Sequence, residues 1–154
     1  MKMISAKPTD PFQIAIIKSN FNTIITTRLL DGAKQRLLER DFSDEQITIV
    51  EVPGAIEIPL VAQHLAKSKN YLALIVLGVV IRGETSHYDY VCDQVSQGCQ
   101  RVSLDHDVPV IFGVLTTENR QQALARCGGT HGHKGIEAVD AAIEMVSVLQ
   151  QLPS

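Results

Sequence analysis

The sequence predicts a single-domain α/β protein, a three-layer, doubly wound sandwich around a four-stranded parallel sheet, and three observations carry that expectation. Four short β-branched and aliphatic runs alternate, from end to end, with longer stretches whose apolar residues recur three or four apart. The run from Leu72 to Ile81 is almost continuously apolar, as in a strand covered on both faces, and then turns abruptly polar. With 154 residues, 45% of them hydrophobic and 20% charged, the chain suits one domain with a real core, and no repeat or linker divides it.

Residues Met1 to Pro11, with Pro8 and Pro11, read as an arm outside the core that orders against a neighbour, leaving 12–154 as the domain. Phe12 to Lys18 is the first strand. Asn22 is placed to cap a helix from about Thr23 to Arg40, whose apolar stripe is Ile25, Leu29, Ala33 and Leu37. Ile47 to Val52 is the second strand, broken by Pro53-Gly54 before a helix that begins at Ala55-Ile56-Glu57 and runs to about Ser68. The third strand ends in the loop Arg82-Gly83-Glu84-Thr85. There Ser86-His87-Tyr88-Asp89 has the form of a capping box, opening a helix that continues to about His106 with Gly98 inside it at some cost. Val108 to Leu115 is the fourth strand, and a short helix follows, stopped by Gly128-Gly129. The last helix, Lys134 to Leu152, carries apolar residues over most of its circumference, so it needs cover on two sides, which implies oligomerisation.

Composition excludes several functions. A formal net charge of -3 without a long Lys/Arg run gives no footprint for nucleic acid. The longest apolar run is about half a membrane span of ~20 residues, and the N-terminus lacks an apolar signal core, so no membrane partner is expected. Three cysteines without a CxxC pair fit a reducing compartment, with the cytoplasm as the default.

In a doubly wound sheet, ligands bind beyond the carboxyl ends of the strands, where helix N-termini present free amides to anions. His87 sits at such a helix start, where a neutral imidazole suited to proton transfer is the expected species; a plain surface histidine is the competing reading. Gly83-Glu84-Thr85 reads either as an ordinary turn or as a phosphate cradle. Arg126 is either a helix-end cation or a phosphate clamp. Lys134, a cation at a helix start, is unfavourably placed unless an anion or carboxylate lies nearby. Phe21 and Phe112, assigned to the carboxyl ends of the first and fourth strands, are core residues or a ring-stacking surface. Glu57 is a first-turn dipole partner or an acceptor for ligand hydroxyls. The spacing of Cys127, His131 and His133 matches no zinc pattern, so no metal is expected.

Taken together, Ser19-Asn20-Phe21-Asn22, VPGAIEIP from Val52, GVVIRGETSHYD from Gly78, PVIFGVLTTEN from Pro109, and Lys134-Gly135 with Ala141-Ala142-Ile143-Glu144-Met145 resemble the lumazine synthase family, in order and spacing over nearly the whole chain. The resemblance implies a flavodoxin-like fold and the penultimate step of riboflavin biosynthesis. In that step 5-amino-6-(D-ribitylamino)uracil condenses with 3,4-dihydroxy-2-butanone 4-phosphate, without a cofactor, to give 6,7-dimethyl-8-ribityllumazine. It further implies that Phe21 stacks on the pyrimidine, that Ala55, Ile56 and Glu57 follow the ribityl chain, and that Val79, Val80 and Ile81 lie beside the ring. By the same likeness Glu84, Thr85 and Arg126 hold the phosphate, His87 transfers protons, and Phe112, Arg126 and Lys134 reach the pocket across a subunit boundary. The implied assembly is a pentamer, which in many members builds an icosahedral shell, with riboflavin synthase as a candidate partner. The chain departs from the family pattern at Thr130 and His133, where lysine and asparagine are common, and at Ala125; His131 and His133 acquire no role. Two rivals remain at this point: a flavin- or lumazine-binding shell protein without the reaction, and a phosphate-binding α/β signalling domain.

Overall fold

Strands and helices alternate along the chain, and the computed structural model describes residues 1–154 in the order β1 (Ile14–Ser19), α1 (Thr23–Glu39), β2 (Ile47–Val52), α2 (Ile58–Ser68), β3 (Ala73–Ile81), α3 (His87–His106), β4 (Val110–Thr117), α4 (Arg120–Ala125), β5 (Cys127–Gly129), β6 (Gly132–His133) and α5 (Lys134–Gln150). The four long strands form one sheet in the order β2-β1-β3-β4. Every pair in it is parallel, with Ile14 opposite both Ile47 and Ala73, and Leu74 opposite Val110. The expected doubly wound architecture is therefore present. No helix is long and apolar enough to cross a membrane.

Side-chain alternation along the central strands divides the core in two. Ile14 and Ile16 of β1 with Ile75, Leu77 and Val79 of β3 face α1 and α5, meeting Ile25, Leu29, Val139 and Ile143. Ala15, Ile17, Leu74 and Val76 face the other way, against Ile58 and Ala62 of α2 and Val95, Cys99 and Val102 of α3. Both faces of β1 and β3 are thus apolar, which is why these strands read as continuous hydrophobic runs. Each fully buried Ile or Leu contributes roughly 1.5–3 kcal/mol over its exposed state, and truncating Leu29, wholly buried on α1, should cost about 2–5 kcal/mol.

Several local expectations are corrected. Asn22 adopts a left-handed conformation (φ 60°, ψ 56°) and makes no side-chain cap. Its carbonyl instead accepts from the Ile25 and Thr26 amides, while Thr23 Oγ1 donates to the Asn20 carbonyl at 2.6 Å. The capping box at Ser86 does not form. A capping side chain needs an extended backbone, whereas Ser86 lies at φ -71°, ψ 0°, and Asp89 is held by Arg82. Thr85 takes over the task, its Oγ1 accepting from the His87 amide at 3.3 Å. β4 starts and ends two residues later than expected.

Gly128 and Gly129 do more than follow α4. With Gly132-His133 they form an antiparallel hairpin in which Gly128 (φ 104°) and Gly132 (φ 83°) take left-handed conformations open to glycine. The N-terminal arm lies on the chain's own α5: Ser147 Oγ accepts from the Lys7 amide at 2.8 Å and donates to the Lys7 carbonyl at 2.9 Å, and Gln151 donates to the Ser5 carbonyl. α5 buries one face, while Met145 and Leu149 remain exposed on another.

Candidate functional site at the sheet switch point

From β1 the chain passes outward to β2 and then returns across β1 to β3, so the carboxyl ends of β1 and β3 diverge and leave a crevice. A cavity of about 410 Å³ occupies it. Its lining comes from three successive strand ends: Phe21 after β1; Gly54, Ala55, Ile56 and Glu57 after β2; Val79, Val80, Ile81, Gly83, Thr85, His87, Tyr88 and Val91 after and along β3 and α3. Two backbone bonds hold the first two segments together, the Asn20 amide to the Val52 carbonyl at 2.8 Å and the Phe21 amide to the Pro53 carbonyl at 3.0 Å. They continue the β1–β2 ladder past its last residue and leave the Phe21 ring 69% exposed, an aromatic face available to a planar ligand.

His87 is the first residue of α3 and is exposed toward this cavity. Its position follows from the loop before it. Arg82, whose amide extends the β3–β4 pairing to the Thr117 carbonyl at 2.9 Å, sends its guanidinium to Asp89 (3.3 Å) and Glu118 (2.8 Å) and lays it 4.3 Å over the Tyr88 ring. The hydrogen bond to Asp89, joined by Glu118, raises the Arg82 pKa, so the clamp stays charged. Tyr88 itself has its phenol pushed up by burial, with Cys92 adding to the shift. Arg82 thereby ties the loop after β3 to the loop after β4 and fixes the first turn of α3, on which His87 stands.

A second depression, of about 310 Å³, shares no lining residue with the first. It runs along Val114 to Thr117 of β4, the sheet's edge strand, and is lined there by Arg126, His131, Lys134 and Glu137. Arg126 is half-buried, its Nη1 donating to the Gln122 carbonyl at 2.8 Å, and the Lys134 amide donates to the Arg126 carbonyl at 2.8 Å. Glu137 lines the same depression as Lys134 but makes no ion pair with it.

The structure thus brings together Phe21, Ala55, Ile56, Glu57, Val79, Val80, Ile81, Thr85 and His87, and separately Arg126 and Lys134. Glu84 is exposed and lines neither depression. Phe112 is not at a strand's carboxyl end: it is the third residue of β4, opposite Val76, and packs beside the α2–α3 core. Tyr88 and Val91 were not foreseen as lining residues, although Val91 lies four positions after His87 and so shares its helix face. No group of three or more His, Cys, Asp or Glu side chains converges as a metal site. His133 and Cys127 are engaged with backbone, the Cys127 thiol at 3.6 Å from the Leu124 carbonyl.

Comparison with known proteins gives the same reading. The family model for 6,7-dimethyl-8-ribityllumazine synthase matches residues 11–150. The curated 6,7-dimethyl-8-ribityllumazine synthase of Coxiella burnetii (strain Dugway 5J108-111) is 55% identical over 141 residues, 92% of this chain and 93% of the relative. Those of strains CbuG_Q212 and RSA 493 / Nine Mile phase I are 54% identical with the same coverage. A match this continuous, on a sheet whose switch point carries the Phe21 and His87 crevice, means that the chain belongs to the 6,7-dimethyl-8-ribityllumazine synthase family.

Proposed function

We propose that the chain is a transferase of riboflavin biosynthesis, condensing 5-amino-6-(D-ribitylamino)uracil with 3,4-dihydroxy-2-butanone 4-phosphate to give 6,7-dimethyl-8-ribityllumazine, phosphate and two molecules of water. The observation that carries the reading is the single cavity lined together by an exposed aromatic, an acidic helix start and an imidazole: Phe21, Glu57 and His87. In this reading Phe21 stacks on the pyrimidine and Val79, Val80 and Ile81 bound its edge. Ala55, Ile56 and Glu57 follow the ribityl chain, Glu57 accepting from its hydroxyls.

The chemistry asks little beyond position and proton transfer. The substrate amine attacks the ketone, the carbinolamine loses water to an imine, phosphate leaves by elimination, and a second carbonyl condensation closes the ring. Every one of these steps moves a proton, and His87 at the cavity wall is the group that takes and returns it. Thr85 and the loop amides receive the phosphate beside the start of α3, with Glu84 on the same loop. Arg126 supplies the cationic clamp, and Phe112, Arg126 and Lys134 come from a neighbouring copy. Holding two reactants on one platform supplies a large share of the acceleration.

The separation of the Arg126 depression from the cavity within one chain supports a site shared between copies, and exposed Met145 and Leu149 on α5 support a contact surface. A pentamer is the assembly proposed, alone or in an icosahedral shell, with riboflavin synthase as candidate partner. The three free cysteines suit the cytoplasm. A flavin- or lumazine-binding shell protein without catalysis is the disfavoured alternative, since passive binding needs no proton-transfer group in the cavity. Mixing the chain with both substrates separates the two readings: the product's lumazine fluorescence should grow with time, and tight binding of the product without its formation would overturn the enzymatic reading.

A further inference from the structure

His133 is wedged between three elements. Its Nδ1 accepts from the amides of Gly135 and Ile136, at 3.2 and 3.3 Å, which caps the N-terminus of α5 with an imidazole. Its Nε2 lies 3.1 Å from the Arg28 carbonyl on α1, and with Nδ1 accepting, Nε2 carries the proton and donates. Its backbone pairs with Cys127 across the hairpin. The ring fits because Gly32 lacks a side chain, and Gly135, whose own lack of one admits the Leu29 carbonyl, also borders it. A Cβ on Gly32 of α1 would overlap ring atoms Cε1 and Nε2, and one on Gly135 would come within 3.1 Å of Cε1. The next residue is Lys134, whose amide holds the Arg126 carbonyl at 2.8 Å.

From this geometry we infer that His133 is a positioning residue for the reaction: by pinning the start of α5 and the β5–β6 hairpin to α1, it sets where Lys134 and Arg126 stand. The inference rests on the reading of Arg126 as the phosphate clamp. His133 touches no substrate itself. It acts through Arg126 and Lys134, which line one depression beside it, and the phosphorylated substrate is the one that should register its loss.

Four variants test this: His133→Ala, His133→Asn, Gly32→Ala, and Gly32→Ala combined with His133→Ala. Loss of the cap in His133→Ala should raise the KM for the butanone phosphate about fivefold, the factor one helix cap is worth, with the KM for the pyrimidine substrate unchanged. Asparagine keeps an acceptor for the α5 amides and should restore most of that KM. Gly32→Ala should mimic His133→Ala by expelling the ring, yet add nothing once the ring is gone. An equal rise in both KM values, a lowered melting temperature with unaltered kinetics, or an asparagine variant as impaired as the alanine one would each overturn the inference. Amide exchange separates its failure from that of the underlying reading. If Arg126→Ala leaves the KM for the butanone phosphate unchanged, the clamp assignment falls. Faster exchange at Gly135 and Ile136 in His133→Ala, reversed by asparagine, would still support His133 as the anchor, and unchanged exchange would overturn it.

Discussion

His87 and Arg126 line different depressions of the same chain, so their removal should fail in different ways. His87→Ala takes away the proposed proton-transfer group but leaves the rest of both depressions in place. Turnover should fall by at least about 10-fold, less than the full ~10²–10⁴ open to acid–base help because positioning supplies the remainder, with both KM values little changed. Arg126→Ala removes the proposed charge-assisted phosphate contact, roughly 1.5–3 kcal/mol, so the KM for the butanone phosphate should rise about 10- to 150-fold. Steady-state kinetics with each substrate varied in turn reads both. Cys99, on the buried face of α3, makes a different prediction: burial pushes its thiol up to about 12 from an ordinary 9.0. The folded state favours the protonated thiol, so its contribution is fully present below pH 9 and is lost as the pH rises toward 12. There it steepens alkaline destabilisation by up to about 1.4 kcal/mol per pH unit. Denaturant titrations across that window should show a shallower decline for Cys99→Ala than for the parent chain. Among single residues, His87 was legible because a strand end and a polar loop precede it directly in the sequence. Tyr88 was not, because its place depends on Arg82 meeting Asp89 and Glu118, groups up to 36 positions away.

At the scale of elements, α3 illustrates where propensity misleads. Gly98 sits in its interior, and helix propensity alone favours alanine there by about 1 kcal/mol. Space decides otherwise, since a Cβ at Gly98 would stand 2.7 Å from both Cβ and Cγ of Pro59 at the first turn of α2. The proline ring is rigid and follows the Ala55–Glu57 turn that lines the cavity, so α2 would have to move away from α3. Gly98→Ala should therefore destabilise the chain by about 1–3 kcal/mol, seen as a lower denaturation midpoint, with weaker binding of the ribityl-bearing substrate. The long elements were readable from the sequence because period and length agree in each: Ile25, Leu29, Ala33 and Leu37 recur four apart, which keeps them within one helix stripe, over a stretch too long for an ordinary strand, and all four are buried. The β5–β6 hairpin was not. It spans two short strands of glycine, cysteine and histidine, has no apolar alternation, and exists because Gly128 and Gly132 reach backbone angles closed to most residues. The expected caps at Asn22 and Ser86 failed for a related reason: the residue type suited a cap, but the backbone of the preceding loop was already turned.

For the whole molecule, the proposed reaction needs the imidazole of one depression and the cations of the other to meet one substrate, and the single chain keeps them in separate hollows. Copies arranged head to tail solve this, because β4 is an edge strand and the Arg126–Lys134 hollow runs along it, free to close over another copy's crevice. In the proposed ring such a contact is heterologous, and every site would take His87 from one copy and Arg126 from the next. Two defective variants should then complement each other. When His87→Ala and Arg126→Ala chains are co-expressed in equal amounts and assemble at random, half the sites keep an intact His87 and half an intact Arg126. About a quarter of the sites then carry both. Assayed at low butanone phosphate, where either variant alone is nearly inactive, the mixed assembly should recover about a quarter of the parent activity. Mixing the two variants after each has assembled separately should recover none until subunits exchange. A co-expressed mixture no more active than the mean of its two components would mean that each chain carries its own complete site, and the shared-crevice arrangement would have to be abandoned.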